Sequence, residues 1–169
     1  LMGDRVGLIA FDMEIKEEWV FQASQKRILD ERKITNLFQN IKLKKGHAGI
    51  KKLPLWLGKE SGLIFFISDF HFSLNLFDDF LTNSTHHEIV PIVLQDRVEK
   101  NGWPSRGISV LTDSETGKRR LVWIGDEWKK KLRDSYNNRN KKIRKICSKH
   151  GILPLFMSGK FEPKKISSY

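Results

Sequence analysis

Two rhythms of apolar and polar positions run along this chain, and the places where one gives way to the other mark its elements. Arg5–Phe11 is short, apolar and bounded by the turn formers Gly3 and Asp12, which suits a buried strand, and Trp19–Phe21 reads as a short partner strand. Ser24 can accept hydrogen bonds from the free amides of a helix start. Ile28, Ile34, Leu37, Phe38 and Ile41 then recur near helical spacing, which predicts a helix from about Ser24 to Asn40. The stretch from Lys42 to Gly49 is basic and contains glycine, so it reads as a loop, and Ile50–Leu57 predicts a short helix limited by Pro54.

The longest apolar run, Gly62–Ser68, ends in Asp69. A strand buried on both faces shows no alternation, so this run predicts a central parallel strand covered by helices. Leu74–Leu81 supplies a short helix and Glu88–Leu94 a further strand. Gly107–Thr112 and Arg119–Ile124 flank Asp113–Gly117, whose Asp and Gly suit a tight reversal, and so predict a hairpin. From about Asp126 to Lys149, Trp128, Leu132, Tyr136, Ile143 and Ile146 form a stripe at helical spacing. Gly151 closes that helix, and Ile152–Phe156 reads as a last strand. Strands alternating with helices predict one α/β domain over residues 1–169, a mostly parallel sheet flanked by helices with an added β-hairpin.

Composition supports a folded chain. Of 169 residues 39% are apolar, and five Trp and eleven Phe exclude a disordered polymer. No apolar run approaches the ~20 residues that cross a bilayer, and no secretory signal pattern stands at the N-terminus. Cys147 is the single cysteine, so no internal disulfide is available, which fits a cytoplasmic location.

Charge changes the picture at one place. The formal net charge is +11, and much of the excess lies between Lys129 and Lys149 as Lys129, Lys130, Lys131, Arg133, Arg139, Lys141, Lys142, Arg144, Lys145 and Lys149, against the acid Asp134. A run of this kind is either a solvated helix face or, as a second reading of function, a face over residues 129–149 that binds nucleic acid or another anionic surface.

Candidate chemistry centres on Asp69. In open α/β sheets ligands sit at the carboxyl ends of strands, and a carboxylate there suits Mg²⁺. The structural alternative is that Asp69 caps the helix beginning near His71 to Leu74. A third function, metal-dependent hydrolysis, would need Asp69, His71 and His87 to converge. The spacing of His71, His86 and His87 carries no His-Glu-x-x-His, and a lone Cys147 furnishes no zinc cage. Glycine-rich phosphate loops and a serine nucleophile elbow are both missing from the sequence. Trp19, Trp56, Trp103, Trp123 and Trp128 are scattered and not interleaved with the basic run, which predicts packing rather than base stacking. The expectation is therefore a protein that is not an enzyme.

Several ordered pieces form a further pattern: Gly3–Leu8, Ser68-Asp69-Phe70, His87–Val90, Asp96 and Glu99 ahead of Pro104 and Gly107, Asp113–Gly117, the long basic helix, and Gly151-Ile152-Leu153. Together they resemble the C-terminal domain of a bacterial family known as domain of unknown function 58. The resemblance implies a von Willebrand factor A-like fold, encoded beside MoxR-type AAA+ ATPases and acting with them in assembling or remodelling other proteins. It also implies a metal-ion-dependent adhesion site built from Asp-x-Ser-x-Ser after the first strand, a Thr from a later loop and an Asp after a central strand. Asp69 matches the last of these. The Thr loop corresponds to His47-Ala48-Gly49-Ile50, which offers neither a hydroxyl nor a carboxylate. Leu1–Arg5 resembles the end of the first helix entering a later strand, so the expected picture is a partial domain without the first strand, holding a vestigial site at Asp69. Mg²⁺ would bind only if the missing segment were supplied.

Overall fold

A computed structural model of the chain describes residues 5–24, 32, 35, 36, 39, 46–96, 106–112 and 118–159. Contacts divide the chain into two units, Leu1–Gly58 and Lys59–Tyr169.

In the first unit the apolar runs on either side of Asp12 pair as an antiparallel hairpin, β1 (Val6–Phe11) and β2 (Ile15–Ser24), with irregular register between Val6 and Leu8 and between Ile9 and Phe11. The turn is organised by Asp12. Its N–H donates to Glu14 O at 2.9 Å, its Oδ1 accepts from Glu14 N at 3.1 Å, and its Oδ2 pairs with Lys16 Nζ at 2.8 Å. Asp12 and Lys16 are both buried, at 6% and 8% exposure. The Asp12 carbonyl accepts from Gly49 N at 2.9 Å, docking a 3-10 turn (Ala48–Lys52) that runs into α1 (Leu53–Trp56). A Cβ on Gly49 would lie 2.8 Å from the carbonyl oxygens of both Asp12 and Glu14, so only glycine permits this approach.

Two expectations change in this unit. The second strand is longer than Trp19–Phe21, and Ser24 ends it, paired with Val6, where a helix cap was expected. The strand pattern simply continues further than its three most apolar residues. Arg32, Thr35, Asn36 and Gln39 are helical and exposed, as the polar face of the expected helix requires; the apolar positions of that helix lie outside the described residues.

The second unit holds β3 (Leu63–Ser68), α2 (Leu74–Thr82), β4 (Glu88–Gln95), the hairpin β5 (Gly107–Thr112) and β6 (Arg119–Ile124), α3 (Asp126–Lys149) and β7 (Leu155–Ser158). The expected α/β class holds: a parallel sheet of order β3-β4-β7 with helices, plus the antiparallel hairpin β5–β6. The turn at 113–117 lies outside the described residues.

The place of β3 differs from expectation. It is an edge of this sheet, with Leu63, Phe65 and Ile67 at 54, 44 and 57% exposure, while β4 is central and buried from Ile89 to Val93. Both are continuous apolar runs, and an apolar run alone does not say which of two strands lies in the middle. Pro91 sits inside the central strand, and the β4–β7 ladder begins one residue later, at Ile92. The last strand starts at Leu155, three residues later than expected. Gly151 turns the chain with φ of +71°, and Pro154, which lacks an N–H, precedes the ladder.

On the inner face of β3, Phe66 packs its ring 5.5, 5.2 and 5.1 Å from those of Phe70, Phe77 and Phe80, which ties α2 to the sheet. The stripe of α3 is buried at Ile143 and Cys147. Burial pushes the Cys147 thiol up to about 12, so it stays protonated and unreactive at neutral pH. A thiol reagent is expected to leave the native chain unlabelled and to modify one site after denaturation; fast labelling of native protein would show that α3 opens. Lys149 Nζ lies 2.8 Å and His150 Nε2 2.6 Å from the carboxylate of Asp78 in α2.

Those hydrogen bonds, Lys149 first and His150 second, lower the Asp78 pKa from its ordinary 3.8. A carboxylate depressed in the folded state stabilises fully above its unfolded value, and that contribution is lost as pH falls through the folded value. The Asp78→Asn variant is therefore expected to be less stable than wild type at neutral pH, with the difference shrinking as pH falls through the depressed Asp78 value. Parallel acid-unfolding curves for the two proteins would contradict this clamp.

Candidate functional site at the carboxyl end of the parallel sheet

Where β3 ends, Ser68-Asp69-Phe70-His71 form a tight turn. Ser68 Oγ accepts from Phe70 N at 3.0 Å, and Asp69 Oδ1 accepts from His71 N at 3.0 Å. Between these bonds Phe70 takes φ of +58°, a left-handed conformation uncommon for a bulky residue. The turn throws the Phe70 ring back into the core, fully buried and 4.9 Å from the Phe77 ring. Asp69 remains exposed. Its carboxylate closes this turn and does not cap α2, whose N-cap is Ser73.

The turn is held from α3. Arg139 sits in the inward stripe of that helix, between Tyr136 and Ile143, where an apolar residue would continue the pattern. Its Nε donates to the Phe70 carbonyl at 2.8 Å, and its Nη2 donates to the carbonyls of both Phe70 and Phe72. Burial lowers the Arg139 pKa from its ordinary range, and the nearby Asp69 carboxylate opposes that drift. The next residue, Asn140, accepts through Oδ1 from Gln95 Nε2 at 3.2 Å, at the end of β4. One turn further, the Arg144 guanidinium lies 4.3 Å above the Phe156 ring of β7. Arg139, Asn140 and Arg144 thus tie α3 to all three parallel strands.

The residues singled out for chemistry do not converge. β3 and β4 are parallel, with Leu63 beside Glu88 and Ser68 beside Val93. His87 therefore lies at the amino end of the sheet, opposite Gly62, and Asp69 at the carboxyl end, about seven residues or ~23 Å of strand apart. The rings of His86 and His87 lie 3.9 Å apart between centroids with their planes tilted by 43°, away from Asp69. A hydrolytic set of Asp69, His71 and His87 is not assembled.

Asp69 Oδ1 is engaged by a backbone amide, its carboxylate acts on the Arg139 guanidinium, and no group of three His, Cys, Asp or Glu side chains that could hold a metal occurs among the described residues. Gly49, in the loop matching the adhesion-site Thr, serves the contact with Asp12 described above.

Arg139 and Asn140 are the residues that the sequence reading missed. The signal was present: a cation and an amide occupy the two positions where the apolar stripe of α3 lapses.

Residues 2–146 match the family described as protein of unknown function DUF58. A relative from Paracoccus denitrificans, described as an uncharacterized protein in the moxR 3′ region, is 28% identical over 99 residues, which covers 59% of this chain and 94% of that protein. The solved structure of a conserved hypothetical protein, BatB, from Bacteroides thetaiotaomicron aligns over 99% of this chain and 80% of its own, with a TM-score of 0.43 and 8% identity. No helix among the described residues is long and apolar enough to cross a membrane. With the family match covering most of its length, this chain belongs to the DUF58 family.

Proposed function

We propose that this chain is a non-enzymatic protein-interaction domain, cytoplasmic and without a cofactor, that acts with a MoxR-type AAA+ ATPase in assembling or remodelling other proteins. Asp69 is then the remnant of an adhesion site whose cation role has lapsed. In this reading the turn is held by the Arg139 guanidinium, so its shape does not depend on a metal. The Paracoccus relative in the moxR 3′ region supports the choice of partner.

The observation that carries the reading is the edge strand β3. Among the described residues it pairs on one side only, with β4. Leu63, Phe65 and Ile67 line its open face, and neither Lys, Glu nor Pro interrupts it. Natural sheet edges are guarded by such residues unless something pairs with them. A partner that adds beside β3 would also meet Asp69 and His71 at the strand's end, both exposed.

Titration of the chain with the MoxR-type ATPase of its own host tests this. The reading predicts a stoichiometric complex that Ile67→Lys weakens about tenfold or more, the loss expected for removing one buried apolar anchor, with little change in thermal stability. A complex that never forms, or one indifferent to charge placed on β3, would remove the proposal.

A further inference from the structure

The two faces of the hairpin β5–β6 differ sharply. On one face Ile124 is fully buried and Val122 half-buried. On the other, Ile108, Val110, Leu121 and Trp123 are 68, 57, 71 and 64% exposed. The register places Ile108 beside Trp123 and Val110 beside Leu121, so these four side chains form two adjoining cross-strand rungs of one apolar patch. A contiguous patch of this kind on a protein with 30% charged residues marks a docking surface.

Its surroundings are cationic. Arg106, Lys118 and Arg119 are exposed beside the rungs. Trp123 and Lys131 border one open hollow, and Lys131 borders the next hollow along α3 together with Arg139 and Lys142. The two hollows share Lys131, so the apolar rungs adjoin the cations of the helix, among which the acid Asp134 also borders the second hollow. The two acids at the junction are already paired, Asp126 with Arg106 at 2.8 Å and Glu127 with Lys131 at 3.0 Å.

We propose that the exposed face of β5–β6 and the adjoining stripe of α3 form a docking surface for an anionic lipid bilayer. Ile108, Val110 and Leu121 enter the interfacial layer, and Trp123 lies at headgroup depth, where an amphipathic ring is favoured. Arg119, on the same face of β6 as Leu121 and Trp123, together with Lys131 and Lys142, meets the lipid phosphates, each adding to a binding that salt weakens. Nucleic acid would use the same cations and leave the apolar rungs in water, so it accounts for only half of the surface. The hollows are open and shallow, which suits a flat lipid surface better than the groove that receives a peptide helix. This surface uses different elements from the β3 edge, and the proposal stands whether or not that edge binds an ATPase.

The test is sedimentation of the 169-residue chain with vesicles of phosphatidylglycerol and phosphatidylcholine, against vesicles of phosphatidylcholine alone. The chain is expected to partition onto the anionic vesicles and to be released by high salt. Leu121→Ser with Trp123→Ser should lower the partition coefficient about tenfold or more, and Arg119→Gln with Lys142→Gln about fivefold per charge. All four side chains are exposed, so the thermal midpoint should not move, which separates lost binding from lost folding. No partition above that on neutral vesicles overturns the proposal. So does partition that the Leu121 and Trp123 changes leave intact, since the charge of α3 would then act alone.

Discussion

Replacing Asp12 by Ala is expected to destabilise the Leu1–Gly58 unit by about 3 kcal/mol, the cost of breaking a buried ion pair. Lys16 is 8% exposed, and its ammonium sits 2.8 Å from Asp12 Oδ2. The same substitution removes the acceptor for Glu14 N, although the Asp12 carbonyl that receives Gly49 N survives. A double-mutant cycle measured by urea unfolding separates these effects. Asp12→Ala should cost much more than Asp12→Leu combined with Lys16→Met, because the double variant removes both charges and leaves no orphan. Equal costs would show that the turn geometry, and not the ion pair, sets the stability.

Arg139→Ala is expected to cost about 3 kcal/mol, since two buried carbonyls lose charge-assisted donors at the end of a left-handed turn. Phe70 is fully buried and Phe72 6% exposed with the guanidinium in place, although Arg139 borders an open hollow through which water can replace part of what the two carbonyls lose. The rearrangement should be local. Amides of residues 69–72 should exchange faster, while Phe77, further along the aromatic cluster, keeps its protection. Arg139→Lys should recover part of the loss only, because a single ammonium does not fork across two carbonyls as a planar guanidinium does. If the lysine variant were fully as stable as wild type, charge alone would be holding the turn.

How much of this was written in the sequence depends on whether a segment's neighbours mattered. The hairpin over Gly107–Thr112 and Arg119–Ile124, and the helix from Asp126 to Lys149, follow from local pattern and local stop signals, and both stand where expected. The place of β3 in its sheet depends on what pairs with it, and Leu63–Ser68 reads alike for an edge or a centre. The start of β7 was misplaced because Ile152 and Leu153 are as apolar as the strand that follows, and the turn at Gly151 uses them up.

The candidate site was legible at Asp69 and obscure at its support. Its position at the end of an apolar run is a sequence feature; its bond to His71 N is a consequence of the turn. Arg139 was counted among the cations of a solvated face, yet it is the one that points inward. Helical spacing sets Arg139 and Asn140 on the same stripe as Tyr136 and Ile143, so the lapse in that stripe was the clue. The histidines failed as a cluster for a topological reason, since parallel strands put His87 and Asp69 at opposite ends.

In the proposed function the open edge of β3 and the turn after it receive a protein partner. Hydrogen exchange of the 169-residue chain, measured with and without the MoxR-type ATPase of its host, decides whether they do. Slower exchange is expected at the outward amides of Leu63–Ser68 and at Asp69–Phe72 when the ATPase is present. Exchange along β3 that stays unchanged at saturating ATPase would contradict it.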